Sequence, residues 1–342
     1  MDIFDTIWEA TGLSYAMELF GMKKKNTENS PEEKSLQESY IQKPHTPTKF
    51  MYRPETFEQY ISQDKAKDKA KLTIELIKKG FPRHFLLMGN AGYGKTTLAG
   101  IITKNLGFNF NVYVGSNFEI ETLNDFLVKN QDSDLPNVLF IDEIAELDKK
   151  VLTYMLPIIE DFKLAGKILR KFILIGATTD TWILSKRCQP FLDRIQCKIY
   201  LEDYSAENIK CLLKQYNEQI HKLNVPEEDY DIISRNVRYT PRMAISFFDF
   251  VIATNGNIDK VMKMNRIISE GLTDIDVKIL NHLKDTNGKA IGMEALSIIA
   301  NQTRQEYQEL TEPYLLRQGM LSRTSRGRII TNKGLLFLQG LK

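Results

Sequence analysis

The 342-residue chain contains only three cysteines, Cys188, Cys197 and Cys211, which form no CxxC motif. This scarcity argues against a disulfide framework or a zinc site and fits a reducing, cytoplasmic compartment. No apolar run approaches the roughly 18 residues of a membrane-spanning helix, so no membrane partner is expected. An excess of one charge is also missing, because 46 Lys and Arg residues face 44 Asp and Glu residues. The net charge of +2 excludes a wholly polybasic nucleic-acid binder but permits a local basic patch.

The remaining composition is that of a globular protein, with 42% hydrophobic and 26% charged residues. Residues 2–20 mix apolar side chains with acidic ones, which predicts a short amphipathic helix and not a signal peptide. Two interpretations of this helix stay open, a cover for the protein's own core and a peptide that docks on a partner. Residues 22–49 are polar, carry both charges and contain three prolines, which predicts a flexible linker.

Beyond the linker, short apolar runs alternate with helical stretches. The runs cover residues 84–88, 110–114, 137–141, 171–175 and 197–201. Such runs, bounded by turns and separated by helices, predict an α/β fold in which helices cover both faces of a parallel sheet. The pattern becomes helical from about residue 205, with Ser205 as a candidate N-cap. From about residue 270 it changes to three short helices and a hairpin-like segment.

The segment GNAGYGKT at 89–96 fits the P-loop pattern, since it follows an apolar strand and precedes a helical stretch. Its glycines let backbone N–H groups face phosphate oxygens. Lys95 can reach the β- and γ-phosphates, and Thr96 can bind Mg²⁺. We therefore expect ATP and Mg²⁺ as cofactors. The candidate nucleotide-binding residues of the loop are Gly89, Asn90, Ala91, Gly92, Tyr93, Gly94, Lys95, Thr96 and Thr97.

Two further strand ends carry polar residues. The apolar run VLFI is followed by Asp142 and Glu143, which are candidates for holding Mg²⁺ and for orienting the attacking water. The segment GATT ends another strand, which we expect to lie between the two strands already placed. Thr178 or Thr179 would then lie close to the γ-phosphate, and Thr179 is the candidate catalytic residue.

These motifs together resemble the AAA+ ATPases and, within them, the RuvB family of Holliday-junction branch-migration motors. The resemblance runs from about residue 52 to the C-terminus. It is carried by YRPETFEQYISQ, HFLLMGNAGYGKTTLA, LFIDEI, LPIIEDF, LIGATT, PFLDRI, YTPRMA, EPYLLRQGML and RTSRGR, in that order. It implies a large ATPase domain at 50–202, a helical lid at 203–268 and a winged-helix domain at 269–342, which follow the N-terminal helix and linker predicted at 1–49.

The resemblance also implies roles for individual residues. The adenine side of the nucleotide pocket would be formed by Arg53, Pro54, Tyr60, Ile61 and Tyr204. Arg194 matches the arginine finger that reaches the nucleotide of a neighbouring subunit, and such a finger raises the rate of hydrolysis by orders of magnitude. Pro241 and Arg242 match the second sensor on the lid, with Arg242 as a catalytic residue.

Three departures from the family pattern bear on function. Leu192 and Ile195 replace an arginine and a phenylalanine beside the finger. The segment SKRCQPF resembles the Ser-Arg-Cys finger of clamp-loader ATPases, which makes Arg187 a rival to Arg194. The family's longer β-hairpin, which docks a RuvA-type partner, is reduced to KLAGKILRK before GATT. This shortening puts a RuvA-type partner in doubt.

The C-terminal end is locally basic. Residues 313–342 contain six Lys and Arg residues and no Asp or Glu. This charge suits phosphate contacts with little sequence recognition. The family pattern assigns the DNA contacts to Arg323, Arg326 and Arg328.

The expected function is therefore an ATP-hydrolysing motor that moves double-stranded DNA at Holliday junctions or related branched DNA, in recombination and repair. The finger must come from a neighbour, so the resemblance implies a homo-oligomeric ring, a hexamer. Two alternatives stay open: a clamp-loader-like switch, and a DNA adaptor that binds ATP without motor activity.

Overall fold

A computed structural model describes residues 53–238 and 240–341, and the predicted N-terminal helix and linker lie outside this range. The first part of the described chain alternates helices and strands. Its helices are α1 (Asp64–Lys78), α2 (Lys95–Leu106), α3 (Ile120–Asp132), α4 (Lys149–Asp161) and α5 (Thr181–Asp193). Its strands are β1 (Phe85–Met88), β2 (Asn109–Val114), β3 (Asn137–Asp142), β4 (Lys163–Leu164), β5 (Lys167–Ile168), β6 (Ile173–Thr178) and β7 (Cys197–Tyr200).

Five of these strands form one parallel sheet in the order β2-β3-β6-β1-β7. The three central strands are apolar along almost their whole length and are buried, as expected where helices cover both faces. The predicted parallel sheet is confirmed, and so is the position of β6 between the strand that ends at Asp142 and the strand that precedes the P-loop.

The two faces of the sheet pack into separate cores. Helices α3, α4 and α5 cover one face with side chains such as Phe126, Met155 and Leu184. Helices α1 and α2 cover the other face, and this core continues without a break into the helical lid. Because lid and sheet share a core, packing determines which lid residues lie beside the P-loop.

The lid consists of α6 (Ala206–Tyr216), α7 (Glu227–Asn236), α8 (Pro241–Ala253) and α9 (Ile258–Met264). Ser205 caps α6 in a reciprocal capping box with Asn208, which confirms the predicted N-cap. Thr240 caps α8, whose first residue is Pro241, a residue whose fixed φ suits the first helical turn. These caps place the start of α8 beside the nucleotide pocket.

The C-terminal region has its own core. It contains the strand pair β8 (Ile267–Ser269) and β9 (Leu272–Thr273), then α10 (Asp274–Asp285), α11 (Met293–Ala300), α12 (Arg304–Glu306) and α13 (Glu312–Arg317), the wing strands β10 (Leu321–Thr324) and β11 (Gly327–Ile330), and α14 (Asn332–Gly340). The helical stretch that includes α12 and α13 contains a π-helical segment at 307–311. Helix α14, capped by Thr331, was not predicted, nor was the β8–β9 pair.

The expected short hairpin is present. Strands β4 and β5 pair antiparallel through two residues each, and the turn uses Ala165 and Gly166 with positive φ. Ile168 on β5 is 78% exposed. This exposed apolar side chain belongs to the last residue of the hairpin, close to the body of the domain.

Edge strand β2 presents a row of apolar side chains to solvent. Phe110, Val112 and Val114 alternate along the strand and are 37%, 53% and 49% exposed. Among residues 53–238 and 240–341, no helix has the length and apolar character needed to cross a bilayer.

Candidate nucleotide site

The P-loop lies between β1 and α2, where the sequence predicts it. Lys95 is only 6% exposed, and its Nζ donates to the carbonyls of Gly89 and Asn90 at 2.8 and 3.3 Å. Burial lowers the pKa of Lys95, while Glu143 and Asp142 act in the opposite direction. The ammonium is thus held inside the curve of the loop, close to two carboxylates, where a phosphate would meet it.

Two tyrosines hold the loop from the side of the adenine pocket. The hydroxyls of Tyr60 and Tyr204 both donate to the carbonyl of Tyr93, at 3.1 and 3.3 Å. The Tyr60 hydroxyl also donates to the carbonyl of Gly94. A Cβ on Gly94 would lie 2.9 Å from this hydroxyl. With φ of 90°, Gly94 could not be replaced without moving Tyr60. Burial raises the pKa of both hydroxyls, that of Tyr204 to about 12, so both are protonated donors.

The motif residues predicted to hold Mg²⁺ lie together. The Thr96 hydroxyl donates to Oδ2 of Asp142 at 3.0 Å, and Oδ1 of Asp142 accepts the backbone N–H of Glu143 at 3.1 Å. A threonine hydroxyl and a carboxylate are hard oxygen donors of the kind that Mg²⁺ prefers beside phosphates. The residues present therefore fit the ion.

Glu143 follows β3 in the left-handed region, with φ of 48°. Its Oε2 lies 3.4 Å from the backbone N and 3.5 Å from the hydroxyl of Thr179. Thr179 therefore contacts Glu143, whereas the buried Thr178 bonds to the backbone of Asp180. Gly115, which the sequence did not single out, lies against this turn, and a Cβ there would come within 2.2 Å of the Glu143 carbonyl oxygen.

A cavity of about 450 Å³ opens between the P-loop and the lid. It is lined by most of the predicted nucleotide residues, namely Arg53, Pro54, Tyr60, Ile61, Ala91, Gly92, Gly94, Lys95, Thr96, Thr97, Asp142, Glu143, Tyr204, Pro241 and Arg242. Arg242 is the second residue of α8, and its Cβ lies 3.3 Å from the position of a Cβ on Gly92. The lid also contributes Leu212, Gln215, Tyr216, Ile245, Ser246 and Asp249, which sequence patterns did not identify.

Two predicted loop residues turn away from this cavity. Tyr93 is 1% exposed, and its hydroxyl donates to Asp203. Asn90 donates to the same hydroxyl at 3.3 Å. Tyr93, Asn90 and Gly89 all lie outside the cavity lining, so their nucleotide contact stays a prediction that only their backbone could fulfil.

The two candidate fingers have different surroundings. Arg187 donates from Nη1 to the carbonyls of Ala145 and Leu147, at 2.8 and 2.9 Å. Its guanidinium is therefore tied to its own subunit, just after Glu143. Arg194 ends α5, pairs with Glu160 at 2.6 Å, and its side chain is 28% exposed. An ion pair with a half-exposed glutamate is easily exchanged for another anion.

The wing arginines also differ from one another. Arg323 and Arg328 both pair with the buried Glu312, with oxygen–nitrogen distances of 2.8 and 2.5 Å. These two partners lower the pKa of Glu312 against the opposing effect of its burial. Arg326 lies exposed at the turn between β10 and β11. The predicted DNA-contact group thus divides into the exposed wing-tip Arg326, Arg323, which is exposed although it pairs with Glu312, and Arg328, whose side chain is mostly covered.

The sheet order, the P-loop, the strand-end Asp-Glu pair and the helical lid define an AAA+ P-loop ATPase. Residues 52–201 match the model of the Holliday junction DNA helicase RuvB P-loop domain, and residues 269–339 match that of the RuvB C-terminal winged helix domain. The chain belongs to the RuvB family.

Individual relatives agree with this assignment. The RuvB subunit of the Holliday junction branch migration complex from Fusobacterium nucleatum is 34% identical over 307 residues, 82% of this chain and 90% of the relative. Its counterpart from Kosmotoga olearia is 31% identical over 82% of this chain and 88% of the relative. The solved RuvB branch migration motor of Thermotoga maritima superposes with a TM-score of 0.69 at 31% identity, covering 84% of this chain and 98% of that one.

Proposed function

We propose that this protein is an ATP-driven helicase that moves double-stranded DNA and drives branch migration of Holliday junctions or related branched DNA. The proposal rests on one observation: the P-loop, the Asp142–Glu143 turn and the lid arginine Arg242 line the same cavity. A lid that contributes a charged side chain to the nucleotide pocket changes position with the nucleotide state, which is how hydrolysis becomes motion. The named relatives act at Holliday junctions.

The residues divide the chemistry among themselves. Lys95 and the P-loop amides bind the β- and γ-phosphates of ATP. Thr96 and Asp142 would hold Mg²⁺, which supplies charge neutralisation at the phosphate oxygens. Glu143 orients and polarises the attacking water, and Thr179 holds the Glu143 carboxylate from the neighbouring strand. Arg242 stabilises the developing charge from the lid, while Tyr60 and Tyr204 fix the loop in its curved form.

The finger is proposed to act between subunits of a homo-oligomeric ring, a hexamer. Arg194 is the better candidate because Arg187 is bound to two carbonyls beside its own subunit's Glu143. This contact gives Arg187 a structural task and weakens the clamp-loader alternative. Within the described part of the chain, Arg194 is held by Glu160 and by the carbonyl of Pro190, at the end of its own helix.

The wing and the short hairpin are the surfaces from which we propose binding partners. The wing presents Arg326 to a DNA backbone, with Arg323 and Arg328 beside it. The short β4–β5 hairpin offers little surface for a RuvA-type partner, because a few anchoring residues carry most of an interface's affinity. The predicted helix at residues 2–20 lies outside the described residues, and we propose it as an alternative attachment. A cytoplasmic location agrees with the scarcity of cysteine.

The deciding experiment uses the full chain on a synthetic four-way junction with ATP and Mg²⁺. We expect ATP-dependent branch migration, and stimulation of ATP turnover by duplex DNA. The same reactions with a RuvA-type protein added determine whether such a partner is used. Turnover that DNA does not change would support the adaptor, and a junction that stays fixed despite DNA-stimulated turnover would support the clamp-loader-like switch.

Lys95→Ala is the control for both assays, because no other P-loop side chain can place a cation at the β/γ oxygens. Migration that survives this substitution would show that another ATPase is present in the reaction.

A further inference from the structure

The hydroxyl of Tyr93 is the point at which three parts of the molecule meet. It donates to the carboxylate of Asp203, in the segment between β7 and the lid. It accepts from Nη1 of Arg317, on α13 of the winged-helix region, at 2.7 Å. One side chain of the P-loop therefore contacts both the start of the lid and the C-terminal region.

Arg317 is oriented by further contacts. The same Nη1 lies 3.1 Å from Oδ1 of Asp203, and Nε donates to the carbonyl of Pro313 at 3.3 Å. The side chains of Arg317 and Asp203 are 35% and 53% exposed, so this ion pair contributes little to overall stability. Its consequence is positional, because the contacts to Tyr93 and Asp203 form only while α13 lies against the P-loop, whereas the Pro313 contact lies within α13 itself.

The backbone of Tyr93 lies next to the residues that line the nucleotide cavity. Its carbonyl accepts from Tyr60 and Tyr204, both of which line the cavity, and the next residues in the chain are Gly94 and Lys95. The buried ring packs edge-on against Tyr204, with centroids 5.9 Å apart. A tightly packed side chain transmits a movement of its own backbone, since it has no room to rotate independently. Any shift of the loop on phosphate binding thus moves the hydroxyl that Arg317 contacts.

We propose that Tyr93, Asp203 and Arg317 couple the nucleotide in the P-loop to the position of the winged-helix region, with Arg317 as a positioning residue. The proposal rests on the nucleotide and DNA binding proposed above. Because coupling between two binding sites is reciprocal, DNA on the winged helix changes nucleotide affinity by the same factor by which nucleotide changes DNA affinity. Breaking the Arg317 contact reduces both effects together.

The test is a titration of full-length protein with a fluorescent ADP analogue, with and without a saturating duplex. In the wild type we expect the duplex to change the Kd for the analogue by about fivefold or more, within the usual range of such couplings. Arg317→Gln removes the cation and should bring this factor close to one. Arg304→Gln is the matched control, since Arg304 belongs to the same region but pairs with Glu294 inside it.

A double-mutant cycle separates coupling from general damage. Tyr93→Phe keeps the ring and removes the hydroxyl, and the change in the coupling factor caused by Arg317→Gln should be smaller in this background, where the Arg317–Asp203 contact remains. A merely structural role for Arg317 would lower the melting temperature and leave the factor unchanged. A wild-type factor of one, or a full factor in Arg317→Gln, overturns the coupling and leaves the proposed function standing. A wild type that binds neither ADP nor DNA overturns the proposed function itself.

Discussion

Thr96 and Asp142 are joined directly, by a 3.0 Å hydrogen bond from the threonine hydroxyl to Oδ2 of the carboxylate. The two residues come from different motifs, 46 positions apart in the chain. Their contact brings the start of α2 and the end of β3 to one place, and it presents two hard oxygen atoms beside Lys95. Several predictions about hydrolysis depend on this arrangement.

Thr96→Val should raise the Mg²⁺ concentration needed for half-maximal ATP turnover by about tenfold or more. The substitution keeps the shape of the side chain and removes one oxygen donor from a site that depends on hard ligands. A Mg²⁺ titration of steady-state ATPase activity measures the effect. Thr103→Val is the control, because the Thr103 hydroxyl bonds only to the carbonyl of Ala99 within the same helix. Equal Mg²⁺ dependence in the two variants would contradict the metal assignment.

Gly115→Ala should lower the turnover number by about tenfold or more, while the Kd for ATP changes little. A Cβ at this position would displace the Glu143 backbone, and small errors in the position of a catalytic group are costly. Rapid-quench hydrolysis and nucleotide titration separate the two quantities. Gly100→Ala provides the comparison, since its nearest neighbour is Phe110 at 3.9 Å. Unchanged turnover in Gly115→Ala would mean that Glu143 tolerates the displacement or does not orient the water.

Arg194→Ala should abolish turnover, and mixing it with Glu143→Gln subunits should restore part of it. Rescue is expected because each mutant supplies what its neighbour lacks across the interface. Arg187→Ala should also reduce turnover, through loss of the contacts to Ala145 and Leu147 beside Glu143. That defect lies within one subunit, so mixing should not rescue it. The reverse pattern of rescue would identify Arg187 as the finger.

Arg326→Gln should weaken duplex binding and reduce the slope of log Kd against log salt by about one, with no loss of stability. Arg328→Gln should instead lower the unfolding free energy by about 2 kcal/mol or more, because Glu312 is buried and loses one of its two arginines. Salt-dependent DNA titrations and denaturant unfolding measure the two effects. A stable Arg328→Gln variant with reduced DNA affinity would return Arg328 to the DNA-contact group.

Stability should fall as the pH decreases from about 6.5 towards 5, because of His84. Burial lowers the pKa of His84 from 6.5 to about 4, so the unfolded chain binds a proton in this window and the folded chain does not. His84→Gln should flatten this part of the profile, whereas the exposed His282→Gln should leave it unchanged. Chemical unfolding at a series of pH values is the measurement. An equally steep profile in His84→Gln would assign the effect to other groups.

Much of the fold followed from local patterns in the sequence. Strands β1, β3 and β6 are apolar along almost their whole length, which is typical of parallel strands that are buried on both faces. The P-loop spacing located the phosphate side of the site because that geometry needs glycines and a lysine at set distances. The family resemblance then supplied the lid and the wing, which no single pattern in the chain defines.

The remainder depends on contacts between distant parts of the chain. Tyr93 belongs to the motif by position, yet its side chain is recruited by Asp203 and Arg317, far along the sequence. Gly115 has no room for a Cβ because the Glu143 turn passes against it. Gln215 lines the cavity from a lid helix, and its packing was not visible in a helical pattern. Such partners are selected by tertiary packing, which residue spacing does not encode.

The exposed row on β2 has a consequence for the isolated chain. Phe110, Val112 and Val114 lie in water on a single subunit, and each Å² of apolar surface removed from water contributes about 25 cal/mol. Self-association that covers this row stabilises the folded subunit by mass action, because the row forms only when β2 is folded and the unfolded chain cannot associate through it. The melting temperature should then rise with protein concentration, and dilute samples should be the first to lose their fold.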